Sequence, residues 1–152
     1  MKRYIEIEKL VYQEIEKNCF GNKKRNGYRH LFGVSQLCLL YSTRFQLDQE
    51  LCAIMGLLHD YSVYKNNTSF NHAVLSSELA EKLLKETLLF DEKEIEIVVE
   101  TIKNHSTKNK RHDRYSELLK MCDVVDSYLH EPEIILDHDR KYYLEKWRKL
   151  DE

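Results

Sequence analysis

The chain is poor in the residues that break helices: 152 residues contain four glycines and one proline. Sustained period-two alternation is also missing, so neither a sheet nor a turn-rich β fold is expected. The four cysteines, Cys19, Cys38, Cys52 and Cys122, are scattered and form no C-x-x-C pair. That spacing excludes a zinc ribbon and reads as four reduced, structural thiols. No basic excess is present either, with 24 Lys+Arg against 26 Asp+Glu and a net charge of -2. A dedicated nucleic-acid binder usually carries a basic surplus, so nucleic acid is not an expected partner. No apolar run approaches 18 residues, and no membrane span is expected. The opening Met1-Lys2-Arg3-Tyr4-Ile5-Glu6 lacks the apolar core of a signal peptide, and a cytoplasmic location is the expectation.

What remains is apolar spacing with helical period. Ile7, Leu10, Val11 and Ile15 stripe a first helix over roughly residues 4 to 18, followed by a basic loop, Asn22 to Asn26, between Gly21 and Gly27. A second helix is predicted from Tyr28, with His30, Val34, Leu37 and Tyr41 on one face. Asp48 is the expected N-cap of a third, whose run Leu51 to Leu58 is apolar nearly all round and therefore buried. A polar loop, Lys65 to Ser69, leads to a fourth helix from about Asn71 carrying His72, Leu75, Leu79 and Leu83. Asp91 and Glu94 make a capping box for a fifth, with Ile95, Val98, Ile102 and His105 in register. Asp113 caps a sixth with Leu118, Leu119, Cys122, Val125 and Leu129. Pro132 ends it, and a last helix runs from about 133 or 137 to Leu150. The predicted fold is all-α, a single domain over residues 1–152 with six to seven helices.

Chemistry concentrates around Leu57-Leu58-His59-Asp60-Tyr61, where a carboxylate ends a buried helix. Burying that charge is costly unless it is paired or holds a metal. A lone histidine on an apolar face is more often a hydrogen-bonded core residue than a ligand. Here His30, His59, His72 and His105 lie on the apolar stripes of four helices, whereas His112, His130 and His138 sit among charged neighbours. Mutual coordination of metal is the economical explanation, with Asp60 and Asp123 as carboxylates. Imidazole with carboxylate and no thiolate suits Fe, Mn, Co, Ni or Zn.

The ordered set His30, His59-Asp60, His72, His105 and Asp123 resembles the HD-domain superfamily of metal-dependent phosphohydrolases, over about residues 28 to 130. The two extra histidines match its binuclear branches, and Leu57 to Tyr61 is similar to the dinucleoside tetraphosphate hydrolases. The resemblance implies an HD-like helical bundle with its motif-bearing core at about 28–130, and the predicted C-terminal helix, about 133–150, lies beyond that core. It implies one or two divalent transition-metal ions, with His30, His59, Asp60, His72, His105 and Asp123 as ligands. Asp60 would bridge the metals or hold the nucleophile as ligand and base. Asp126, one turn beyond Asp123, competes for the role of final ligand. Hydrolysis of a nucleotide or another phosphorylated small molecule is the expected activity. An HD-fold di-iron oxygenase and a non-catalytic ligand-binding module are the alternatives.

Many relatives place a basic residue three or four positions after the doublet. Here those positions hold Val63 and Tyr64, and the nearest base is Lys65. Candidate phosphate contacts are therefore Arg29, Lys65, Lys108 and Arg111, since Arg and Lys bind phosphate through charge-assisted hydrogen bonds. Tyr142, Tyr143 and Trp147 on the last helix read as cover for the core or for a homodimer face.

Overall fold

The computed structural model describes residues 1–151, and no strand occurs among them. Nine α-helices follow in order: α1 (Lys2–Asn18), α2 (Gly21–Gly27), α3 (Gly33–Ser42), α4 (Gln49–Leu58), α5 (Tyr61–Lys65), α6 (His72–Thr87), α7 (Glu92–Asn104), α8 (Arg114–His130) and α9 (His138–Arg148). A π-helical turn, Tyr28–Phe32, joins α2 to α3 without a break. Every helix expected from the apolar stripes is present, and α2 and α5 are additional to the six to seven expected. The basic segment 22–26, read as a loop, is instead the helix α2, which turns out of α1 at Gly21 with φ +55. A left-handed φ suits glycine because it lacks a Cβ.

Local chemistry sets the helix ends. Asp48, Asp113 and Asp137 accept backbone N–H bonds from Leu51, Ser116 and Arg140. Asp91 and Glu94 form the reciprocal capping box expected of α7. Each cap satisfies donors that the first turn leaves without a partner.

The buried helix α4 is the axis of the fold. Every residue from Leu51 to Leu58 is buried, and α4 packs against α1, α3, α7, α8 and the π turn. Leu57 and Leu58 are fully buried, each contributing about 1.5–3 kcal/mol relative to exposure. Gly56 permits the closest of these approaches. A Cβ there would lie 2.7 Å from the Ser35 Cα of α3. The amphipathic α1 adds Ile7, Val11 and Ile15 to the same core, while α6 and α7 pair as a hairpin and α9 lies on α8. Among the described residues no helix is long and apolar enough to cross a membrane.

Candidate metal centre

Five helix-end or turn positions and one mid-helix position converge at the end of α4. His59 is the residue that closes α4 and Asp60 the one that opens α5. His72 is the first residue of α6, and His105 closes α7. His30 projects from the π turn, and Asp123 from the middle of α8. A π turn shifts the register of the chain by one residue and recurs at functional sites.

Three of the histidines use one local device. His59 Nδ1 lies 2.6 Å from the Gly56 carbonyl, His105 Nδ1 2.6 Å from the Ile102 carbonyl, and His72 Nδ1 3.3 Å from the Ser69 carbonyl. In every case the acceptor is three residues back, and for His59 and His105 it belongs to the last turn of a helix, where carbonyls lack intrahelical partners. A carbonyl only accepts, so each Nδ1 carries the proton and each Nε2 presents a lone pair when the ring is neutral. His30 reaches the same state by another route, with Nδ1 2.8 Å from Asp126 Oδ2. Such outer contacts fix the tautomer of a metal-ligating imidazole and raise its basicity.

All four Nε2 atoms point inward. His30 Nε2 and His59 Nε2 are 3.0 Å apart. Asp60 Oδ2 lies 3.2 Å from the first and 3.3 Å from the second. Asp123 Oδ1 lies 3.2 and 3.4 Å from the same two atoms. Ligands about 2.1 Å from a transition metal are about 3.0 Å apart when at right angles and about 3.4 Å apart in a tetrahedron. The donor set therefore fits one ion. The other oxygen of Asp60 faces elsewhere, with Oδ1 3.1 Å from His105 Nε2 and 3.5 Å from His72 Nε2. These three make a second group of metal-ligating type, and Asp60 is common to both.

Electrostatics agree with a demand for positive charge. Burial would raise the Asp60 carboxyl, but His59, His105 and His30 hold it well below the usual range. Burial likewise opposes ionisation of Asp123, which Lys108, His30 and His59 overcome. Burial lowers His59, but Asp60 and Asp123 outweigh it and push the imidazole up to about 9. His30 rises well above its ordinary value against burial, through Asp123, Asp126 and Asp60. His105 is lowered, chiefly by burial.

The cluster opens on one side. The side chains of His59 and His105 are 0% and 1% exposed, whereas His72, Asp123, Asp60 and His30 are 33%, 19%, 17% and 16% exposed. The two carboxylates are therefore partly exposed to solvent. Behind His30, a hollow of about 290 Å³ is lined by Arg29, Asp126, Ser127 and His130. A comparable hollow of about 330 Å³ between α6 and α7 is lined by Glu81, Glu92 and Glu96 and does not touch the cluster.

Asp123 faces the centre, while Asp126 stands behind His30, where it also meets His130 Nε2 at 3.4 Å. Gly33 makes room for it, since a Cβ there would lie 2.2 Å from Asp126 Oδ1. The four basic candidates are placed differently from one another. Arg29 is exposed on the turn that carries His30. Lys65 pairs with Glu14 at 3.3 Å. Lys108 is buried and meets Asp123 Oδ2 at 2.9 Å. Arg111 lies over the Tyr142 ring, 3.6 Å from its centroid, away from the cluster. Sequence reasoning did not find the Asp126–His30 and Lys108–Asp123 contacts. The i−3 carbonyl bonds were missed as well, although a histidine just past a predicted helix end is their signal.

The fold and site together define an all-helical domain built around a His/Asp cluster of metal-ligating chemistry. A family model for the HD domain matches residues 27–129, a span that includes all six converging residues. The chain belongs to the HD domain family. The fold is similar to the crystal structure, at 1.45 Å resolution, of a predicted HD superfamily hydrolase from an uncultured Thermotogales bacterium. That likeness has a TM-score of 0.62 at 19% identity and covers 92% of this chain and 84% of that one. No curated protein sequence matches the chain.

Proposed function

We propose that the protein is a metal-dependent phosphohydrolase acting on a nucleotide or another phosphorylated small molecule. The observation that carries the reading is the divided carboxylate of Asp60, whose two oxygens face two separate groups of imidazoles. His30, His59 and Asp123 would hold one ion with Asp60, and His72 and His105 a second. Divalent metal supplies a lowered pKa for bound water and charge stabilisation for phosphate oxygens.

The chain's own residues do the rest. The i−3 carbonyls and Asp126 keep the Nδ1 protons away from the centre, so the four rings serve as ligands and not as acids. Asp60, held ionised, keeps one oxygen for each group of imidazoles and so would link the two ions. Arg29, beside His30 and facing solvent, suits an anionic group of the substrate. Fe, Mn, Co, Ni and Zn are all compatible with these donors.

The test is a panel of phosphate esters and anhydrides, including nucleotides and dinucleoside tetraphosphates, assayed with each metal. Metal-dependent phosphate release that His59→Ala and Asp60→Ala abolish is the expected result. Metal-loaded protein that releases phosphate from none of them contradicts the proposal.

A further inference from the structure

Lys108 was expected to reach a substrate phosphate, yet its ammonium is turned inward. The residue is 6% exposed. Its Nζ donates to Asp123 Oδ2 at 2.9 Å and to the His105 carbonyl at 2.6 Å. One cation thus touches a residue of each ligand group. The oxygen it takes is the one Asp123 does not turn toward His30 and His59. The main chain at Lys108 is anchored from the other side. Arg111 Nη1 donates to the Lys108 carbonyl at 3.0 Å and to Tyr143 Oη at 3.1 Å. Tyr143 Oη in turn donates to Glu117 Oε1 at 3.0 Å, and the fully buried Lys120 holds Glu117 Oε2 at 2.8 Å. The loop between α7 and α8 is therefore pinned to α8 and α9, and Lys108 has little freedom to swing outward.

We infer that Lys108 is a positioning residue that occupies the second oxygen of Asp123, confining that carboxylate to one-oxygen ligation through Oδ1. The inference rests on the reading of the cluster as a metal centre. A free aspartate beside a divalent ion can chelate with both oxygens. Lys108 removes that option, and by drawing charge from the carboxylate it leaves the ion a stronger Lewis acid. The competing role, contact with a substrate phosphate, would leave the substrate-free centre unchanged.

The experiment is visible absorption of cobalt-loaded, substrate-free protein, comparing wild type with Lys108→Met and Lys108→Arg. Loss of Lys108 lets Asp123 chelate, raises the coordination number and weakens the cobalt bands. Lys108→Arg, which keeps a cationic donor, is expected to restore them. Lys108→Leu, which also carries no donor, replaces the methionine variant if circular dichroism shows that the latter does not fold. Wild-type and variant spectra that coincide overturn the inference, as does a change that arginine fails to restore. Failure of the wild-type protein to bind cobalt overturns the metal-centre reading itself, so the two failures are distinct.

Discussion

Replacing Gly56 by alanine tests whether the approach of α3 to α4 sets the geometry of the cluster. The added Cβ would meet Ser35 Cα at 2.7 Å, Ser35 N at 2.9 Å and the Val34 carbonyl at 3.0 Å. Those atoms are backbone, so no rotamer change relieves them, and the first contact is about 0.7 Å short of ordinary carbon–carbon separation. The helices must part by that amount. Overpacking of this kind costs about 1–3 kcal/mol, and a rigid obstacle belongs at the upper end. Alanine returns about 1 kcal/mol through its better helix propensity. The net destabilisation expected is about 2 kcal/mol, a fall of about 4–8 °C in Tm for a chain of this size. Because His30 precedes α3 and His59 ends α4, their 3.0 Å separation widens with the helices, and metal affinity falls in parallel. Thermal unfolding of the metal-free protein and chelator competition on the loaded one give both numbers. A variant as stable as wild type, with the same metal affinity, would refute the reasoning.

Two further outcomes follow from the same geometry. Asp126→Asn weakens the hold on His30 Nδ1 and is expected to lower metal affinity about 10–100-fold, while circular dichroism stays unchanged; unaltered affinity in a chelator titration counts against the role given to Asp126. The pH dependence has a definite sign. The His59 imidazole, pulled down by burial but raised further by Asp60 and Asp123 to about 9, contributes stability to the metal-free protein. That contribution is full below the unfolded value of about 6.5 and is lost as pH climbs through about 9. Metal displaces the same protons, so affinity should rise with pH over that window and uptake should acidify a weakly buffered solution. Affinity that stays flat between these pH values contradicts the protonation assigned to the cluster.

The helices were legible because their signals are local. Asp48, Asp91 and Asp113 each cap where an acidic side chain precedes an apolar stripe, and Asp137 caps the last helix, whose start the sequence places only between about 133 and 137. The segment 22–26 was not legible, since a short helix of asparagine, lysine and arginine has no apolar stripe of its own. The π turn was hidden for a related reason. Its residues, Tyr28 to Phe32, carry ordinary helical spacing, and the turn differs from its neighbours in backbone hydrogen bonding, which side-chain pattern does not report. At the site, the residues that converge were readable as types at helix ends. Their supports were not, because Lys108 to Asp123 and His30 to Asp126 are contacts between elements, separated by 15 and 96 positions. Lys108 reads as a phosphate contact, and nothing local signals its burial against Asp123. The family pattern alone favours Asp123 over Asp126; the direction of each side chain on α8, Asp123 toward His30 and His59 and Asp126 behind His30, is a tertiary fact.

That Asp60 joins two metal-ligating groups is tested by metal content. Elemental analysis and titration of the purified protein, beside His59→Ala and His105→Ala, separate the groups. Two equivalents of divalent transition metal are expected in the wild type. Loss of one equivalent is expected in His105→Ala, whose ring belongs to the second group alone, with the other retained. Loss of the ion held by His30, Asp60 and Asp123 is expected in His59→Ala. A wild-type protein that binds no metal under any loading condition, or an His105→Ala protein that retains both equivalents, would contradict the joining of two groups by Asp60.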